Sequence, residues 1–349
     1  MRNLILFSCF VAFVSCSDIE PNVILEADSS ELIETPSFDL IDSLTRNLSE
    51  DDGKLLDVLA VKLAEIGVSE KGKSRAIFTW LASNITYDAD LFDQQMLTNP
   101  TPQEVLSTKK SVCTGFSSLA MALAERMGLQ MKAITGYSKG LAYNPTQPFE
   151  KNGHIWNAVS INGVWELIDF TWGQGYSDKE NGKTSSFAKF DEQWFCPKPA
   201  QFAPTHFPVD SNWQLLNKPL DENEYANLPA MNPSSFHTLQ NPDSTLVCLR
   251  KSNEPVADYF PQYDCEVLIS PVFNRLEKYS TYEFLIRSDS ALKIEVHELE
   301  EDRWTEFEQQ KNLHSLNYQV KSNQLIGVCV TYKEERLYLQ LYNSKETRW

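Results

Sequence analysis

Residues 111–137 read SVCTGFSSLAMALAERMGLQMKAITGY, and two different periods meet inside that stretch. Phe116, Leu119 with Ala120, Leu123 and Met127 recur at three- and four-residue steps, which line one face of a helix. Ser111 is a candidate N-cap and Gly128 a stop, so the spacing predicts a helix over Cys113–Met127. From Met131 to Tyr137 the pattern changes to that of a strand. Two further strands, Ala158–Ile161 and Val164–Asp169, flank Asn162-Gly163, the dipeptide of a two-residue hairpin turn. Upstream, Leu55–Ile66 and Lys73–Ile85 have helical spacing. A short helix is expected after the breaker Asn99-Pro100-Thr101-Pro102.

Downstream, residues 173–230 carry Pro197, Pro199, Pro204, Pro208, Pro219 and Pro229 and are expected to be irregular. From about Phe236 only strands are expected: Thr245–Arg250, Asp264–Ser270, Thr281–Arg287, Leu292–Glu298, Leu325–Tyr332 and Arg336–Tyr342. Leu292, Ile294 and Val296 alternate with Lys293, Glu295 and His297, as in a half-buried strand. These strands predict a β-sandwich of about seven or eight strands with immunoglobulin-like architecture. The expected organisation is a leader over 1–15, an acidic tether over 16–52, an α+β domain over 53–232 and the sandwich over 233–349.

The leader is Arg2 followed by the apolar run Leu4–Val14, too short to span a bilayer and of the form of a secretory signal. Its ending Phe13-Val14-Ser15-Cys16 resembles a bacterial lipoprotein signal, which implies lipidation of Cys16 and a place in the cell envelope on a bacterial membrane. An ordinary cleaved signal with an incidental cysteine is the alternative. Residues 17–57 hold twelve acids against Arg46 and Lys54, the composition of a solvated spacer.

The whole chain of 349 residues has a formal charge of −17, which argues against a general nucleic-acid binder. It has no Gly-rich phosphate loop, no paired CxxC and no HExxH, so nucleotide and zinc chemistry have no sequence support. No cofactor and no metal is expected.

Three segments carry chemistry: Ser111-Val112-Cys113-Thr114-Gly115-Phe116, Gly153-His154-Ile155-Trp156-Asn157 and Leu167-Ile168-Asp169-Phe170-Thr171-Trp172. Cys113 falls in the first turn of its helix, where unpaired N–H groups favour thiolate. His154 precedes one strand of the hairpin and Asp169 ends the other, so pairing brings them together. A carboxylate on one imidazole nitrogen leaves the other to take the thiol proton. The pattern is that of a Cys-His-Asp acyl-transfer site. Each residue alone has a plainer reading: a buried small cysteine, a surface histidine.

These segments resemble the transglutaminase-like superfamily, in particular the kyphoscoliosis peptidase branch, over roughly Lys71–Leu216. The resemblance also rests on Asn84-Ile85-Thr86-Tyr87-Asp88, Thr205-His206-Phe207-Pro208 and Asn212-Trp213-Gln214-Leu215-Leu216. It implies a papain-like α+β core in which a cysteine-bearing helix packs on an antiparallel sheet. It assigns Cys113 as nucleophile, His154 as base and acid, and Asp169 as orienter. Phe170 departs from the Thr or Cys common at that place in the family.

Trp156 and Trp172 are candidates to line a substrate groove, with hairpin packing as the alternative for each. The Cys113 N–H is the default oxyanion donor. His206 is expected to be structural. The loop between Gly136 and Gly153 is either a lid or a plain connection. Cys248 is a candidate to bridge Cys265 or Cys329, as an exported protein permits. The expected activity is that of a peptidase or amidase on protein or cell-wall peptide, with membrane attachment through lipid. A non-catalytic binding module and a protein-glutamine transglutaminase are the alternatives. Oligomeric state is not legible.

Overall fold

The computed structural model describes residues 36–94, 99–141, 143, 153–228, 242–251, 256–259, 265–333 and 335–343. The expected leader, Cys16, most of the Gly136–Gly153 loop and the expected boundary at 232 lie outside the described residues.

The acidic tether was expected to reach residue 52, but Phe38–Arg46 is a helix that belongs to the fold. The Ser37 hydroxyl caps it by accepting from the Leu40 N–H, and Ile41, Asp42 and Thr45 are buried. Asp42 forms a bidentate pair with Arg75, Nε to Oδ1 at 2.9 Å and Nη2 to Oδ2 at 2.7 Å. Thr79 Oγ1 donates to the same carboxylate at 2.5 Å. Composition had counted this acid as solvated, whereas it neutralises a guanidinium that is only 2% exposed. Asp42→Ala is expected to cost about 3–5 kcal/mol, because it strands a buried charge. Denaturant unfolding checks this, and a loss near zero would contradict it.

The helices Leu56–Gly67, Glu70–Asn84 and Cys113–Arg126 build the first core together with a four-stranded sheet. Glu70–Asn84 starts earlier than its apolar spacing suggested, because Ser69 caps it by accepting from the Gly72 N–H. Ile77, Phe78, Leu81, Phe116, Leu119 and Leu123 are fully buried. Each stabilises the fold by about 1.5–3 kcal/mol relative to exposure.

The sheet runs Val164–Ile168, Gly153–Ile161, Met131–Ser138, His206–Pro208, all antiparallel. Asn162 (φ 51°) and Gly163 (φ 81°) make the expected hairpin turn. Gly136 is paired with His154 on one side and with Pro208 on the other. A Cβ there would lie 2.3 Å from the Phe207 carbonyl oxygen and 2.5 Å from Trp156 Cη2. Only glycine lets the two histidine-bearing strands flank this position so closely.

The region 173–230 is more regular than expected. Gly175–Glu180 and Lys183–Ala188 form a hairpin turning at Asn181 (φ 51°) and Gly182 (φ 80°), another Asn-Gly signal. His206–Pro208 joins the sheet by pairing with Gly136–Ser138.

The C-terminal part is a sandwich of two antiparallel sheets. One sheet runs Glu266–Ile269, Thr281–Arg287, Leu313–Gln319, Glu308–Gln310. The other runs Arg303–Glu306, Lys293–Glu298, Leu325–Tyr332, Glu335–Asn343, Asp258–Tyr259. Phe284, Ile286, Ile294, Val296, Val328 and Leu339 fill its own core. The expected strand Thr245–Arg250 is instead a helix, Pro242–Lys251. Thr245 and Val247 favour a strand locally, but Asp243 in the first turn and Arg250 and Lys251 in the last match a helix dipole. Leu246 and Leu249 then share one buried face against Ala200, Ala203 and Tyr225.

Cys265 and Cys329 are thiols, so the expected bridge from Cys248 to either of them is not made. The Cys265 sulfur lies 2.9 Å from the Tyr332 hydroxyl, and Cys329 sits in the sandwich core. Among the described residues no helix is long and apolar enough to cross a membrane.

Candidate active site

Cys113 opens its helix, as the sequence predicted, but the cap is Val112 and not Ser111. Lys110–Ser111 is held extended by parallel pairing with Thr86–Tyr87, so the chain turns into the helix one residue later. Val112 has no side-chain acceptor, and no side chain caps the helix. The N-terminal partial positive charge therefore bears on the sulfur.

His154 and Asp169 meet across the hairpin. His154 Nε2 is 2.7 Å from Asp169 Oδ2. That contact leaves Nδ1 free to face the thiol, and the His154 imidazole and the Ile155 backbone N–H both favour the Cys113 thiolate. Asp169 follows the last residue of its strand and caps the short helix Phe170–Gln174. Its Oδ1 accepts from the Thr171 and Trp172 N–H groups, both at 2.8 Å.

The electrostatics favour an ion pair. Burial opposes the thiolate, but the hydrogen bond and charge of His154 and the Ile155 N–H outweigh it, and Cys113 is held below its ordinary value. Burial also opposes the imidazolium, yet Asp169 and then Cys113 push His154 up to about 10. Asp169 is fully buried, which alone would raise it, but the two histidines hold it well below the usual carboxylate range. A nucleophilic sulfur, a proton donor beside it and a fixed carboxylate behind can run acyl transfer.

A family model described as transglutaminase-like superfamily matches residues 59–170, a span that contains Cys113, His154 and Asp169. The chain carries a transglutaminase-like domain. Kyphoscoliosis peptidase of Mus musculus is 32% identical over 191 residues, 54% of this chain and 28% of that protein. Hillarin of Drosophila melanogaster is 29% identical over 202 residues, 55% of this chain and 24% of that protein. The chain thus spans about a quarter of the length of these curated relatives. A candidate cysteine protease of known structure from Cytophaga hutchinsonii covers 37% of this chain and 42% of its own, at 21% identity and a TM-score of 0.25.

His206, outside the matched span, stands where sequence reasoning did not put it. Its burial fits the expected structural role, but its Nε2 is 3.0 Å from Asp169 Oδ2, so the carboxylate holds two histidines. His154, Asp169 and His206 have donor atoms within 4.8 Å of one another, a spacing a cation could use. The 2.7 and 3.0 Å contacts to one oxygen are hydrogen-bond lengths, and we read the group as a hydrogen-bonded cluster.

Trp156 is 1% exposed, so it does not line an open groove. Its ring centroid lies 6.1 Å from that of His154 and 5.0 Å from that of His206, which makes it the apolar backing of both. Trp172 is only partly buried, 5.6 Å from His154, and screens the imidazole from one side. Tyr87 is a second residue that spacing did not single out. Burial first, then the charges of Cys113 and Asp169, push its phenol up, so it stays a neutral O–H near the thiol. A surface hollow of about 700 Å³ lies elsewhere, lined by Val61, Glu65, Lys73 and Arg126 among others, and holds none of these groups.

The cluster makes stability pH-dependent. His206 is pushed down to about 4 in the folded state, so folding opposes its protonation, and stability rises from about pH 4 to 6.5. His154, raised to about 10, contributes fully below 6.5 and loses its contribution as pH rises through 10. Cys113, lowered from 9.0, works the opposite way, and its contribution is fully present above that value. The unfolding midpoint is therefore expected to climb from pH 4 to 6.5. Thermal melts across that range check it, and a decline between pH 4 and 6.5 on raising pH would contradict it.

Proposed function

We propose that this chain is an exported thiol enzyme that cleaves an amide bond in protein or cell-wall peptide. The observation that carries the reading is the 2.7 Å His154–Asp169 contact beside a Cys113 thiol that the His154 charge holds below its ordinary value. The Cys113 sulfur attacks the carbonyl carbon, and His154 passes its proton to the leaving amine. An acyl-thioester remains. Water, deprotonated by His154, then attacks it and releases the acid, returning the thiol. Asp169 stabilises the imidazolium throughout without taking its proton.

The name of the mouse and human relatives, kyphoscoliosis peptidase, supports hydrolysis over transamidation. Arg2, the apolar run to Val14 and Cys16 support export and a lipid anchor at Cys16, on a bacterial envelope membrane. Protein or peptide is the substrate partner, and no cofactor enters the reaction.

The test is amide hydrolysis of an unfolded protein and of purified cell-wall peptide by wild type and Cys113→Ala. Hydrolysis of either substrate by wild type, with at least a 10³-fold loss in the variant, is expected. Retention of the substrate without turnover by both forms would replace the enzyme with a binding module. Incorporation of a labelled primary amine in place of hydrolysis would make it a transglutaminase.

A further inference from the structure

Asp169 is fully buried and its carboxylate is completely used. An ionised carboxylate offers about four acceptor sites. Oδ1 takes the Thr171 and Trp172 N–H groups, and Oδ2 takes the Nε2 atoms of His154 and His206. Three of these groups have obvious reasons to be there: two cap a short helix and the third is the imidazole beside the thiol. His206 has none of these reasons. It comes from a different strand, on the far side of Met131–Ser138, and lies outside the family-model match.

The surroundings of His206 rule out contact with substrate. It is 1% exposed. Its ring stacks on Phe202 at 3.9 Å and 21°, and Trp172 and Trp156 close it in at 4.4 and 5.0 Å. Its Nδ1 is 2.9 Å from Thr205 Oγ1, so both nitrogens are occupied. The ionisable groups packed on it are Asp169 and His154.

This arrangement has a chemical consequence. A second imidazolium on Asp169 would compete with His154 for the one negative charge. A neutral imidazole with its proton on Nε2 fixes the carboxylate without taking that charge; the Thr205 hydroxyl, within reach of both Nδ1 and the Phe202 carbonyl oxygen, can turn its proton to Nδ1. We infer that His206 is a positioning residue: a neutral Nε2–H donor that locks the Asp169 carboxylate in the plane that aims His154 at Cys113. The inference rests on the thiol-enzyme reading of the same site. Burial, which pushes His206 down to about 4, keeps it neutral across the working range.

The experiment compares wild type, His206→Phe, His206→Gln and His154→Ala by the rate of Cys113 alkylation with iodoacetamide from pH 4 to 9. Phe keeps the ring stack on Phe202 and removes the donor. Gln places an amide N–H near the lost Nε2. We expect His206→Phe to lose at least ten-fold in rate at pH 6 and His206→Gln to stay within about three-fold of wild type. If His206→Phe folds and reacts like wild type, or if folded His206→Gln falls as far as Phe, the role is only packing. His154→Ala separates the two levels of failure: if it too reacts like wild type, the activated-thiol reading itself has failed. A second measurement needs no stable variant. Nitrogen-15 spectra of histidine-labelled wild type should show His206 neutral, protonated at Nε2 and untitrated between pH 5 and 8. Titration near 6.5, or the proton on Nδ1, would overturn the inference.

Discussion

His154→Ala is expected to slow alkylation of Cys113 by roughly 10²-fold at pH 6, the largest loss of thiol reactivity among single changes that leave the sulfur in place. The reason is ionisation. An isolated thiol with a pKa of about 8.5 is roughly 0.3% thiolate at pH 6. In the wild type, His154 and the Ile155 N–H stabilise the thiolate against a strong burial penalty. Without His154, burial and the Asp169 charge are opposed only by the Ile155 N–H, and the sulfur keeps its proton. Part of the gap is returned, because a more basic thiolate is intrinsically more nucleophilic. At pH 9.5 the difference is expected to shrink, since the higher pH favours the thiolate in both proteins. Peptide mapping after brief labelling checks this, with Cys196 as an internal reference whose burial pushes its thiol well up. A gap of the same size at both pH values would mean that His154 acts by something other than ionising the thiol.

Under the proposed thiol-enzyme function, Asp169→Asn is expected to lower turnover by about 10⁴-fold, the loss typical of removing the orienting carboxylate from a catalytic triad. The amide oxygen can still accept from the Thr171 and Trp172 N–H groups, so the short helix keeps its cap. The amide nitrogen, however, presents N–H groups to two imidazole Nε2–H groups. Each histidine must switch tautomer or lose its bond. His154, no longer beside the Asp169 charge, falls from about 10, which weakens the ion pair with Cys113. A buried donor left unpaired costs about 1–3 kcal/mol in stability as well. Steady-state rates and denaturant unfolding of the folded variant check both parts. Wild-type turnover with a neutral His154 would remove Asp169 from the mechanism.

The chain shows why some of this was legible and some was not. Periodicity in Cys113–Met127 and the Asn162-Gly163 turn report interactions within a few residues, so local spacing identified both elements. Cys113, His154 and Asp169 sit at the ends of those elements, where placement follows from strand pairing. Thr245–Arg250 failed because β-branched residues there suit a strand, while the burial of Leu246 and Leu249 against Ala200 and Tyr225 selects the helix. Asp42 was hidden among neighbouring acids until Arg75, 33 positions later, gave it a partner.

What the order of residues determined on its own was the local elements around the candidate site: a cysteine at a helix start, and a histidine and an aspartate at the ends of one hairpin. Only the tertiary structure decided that Asp169 holds two imidazoles, that Trp156 backs them and lines no groove, and that Asp42 belongs inside. The physical reason is the range of the forces. Helix and turn signals are paid out over a few residues, whereas burial and the pairing of buried charges depend on which distant segments come to share one low-dielectric interior.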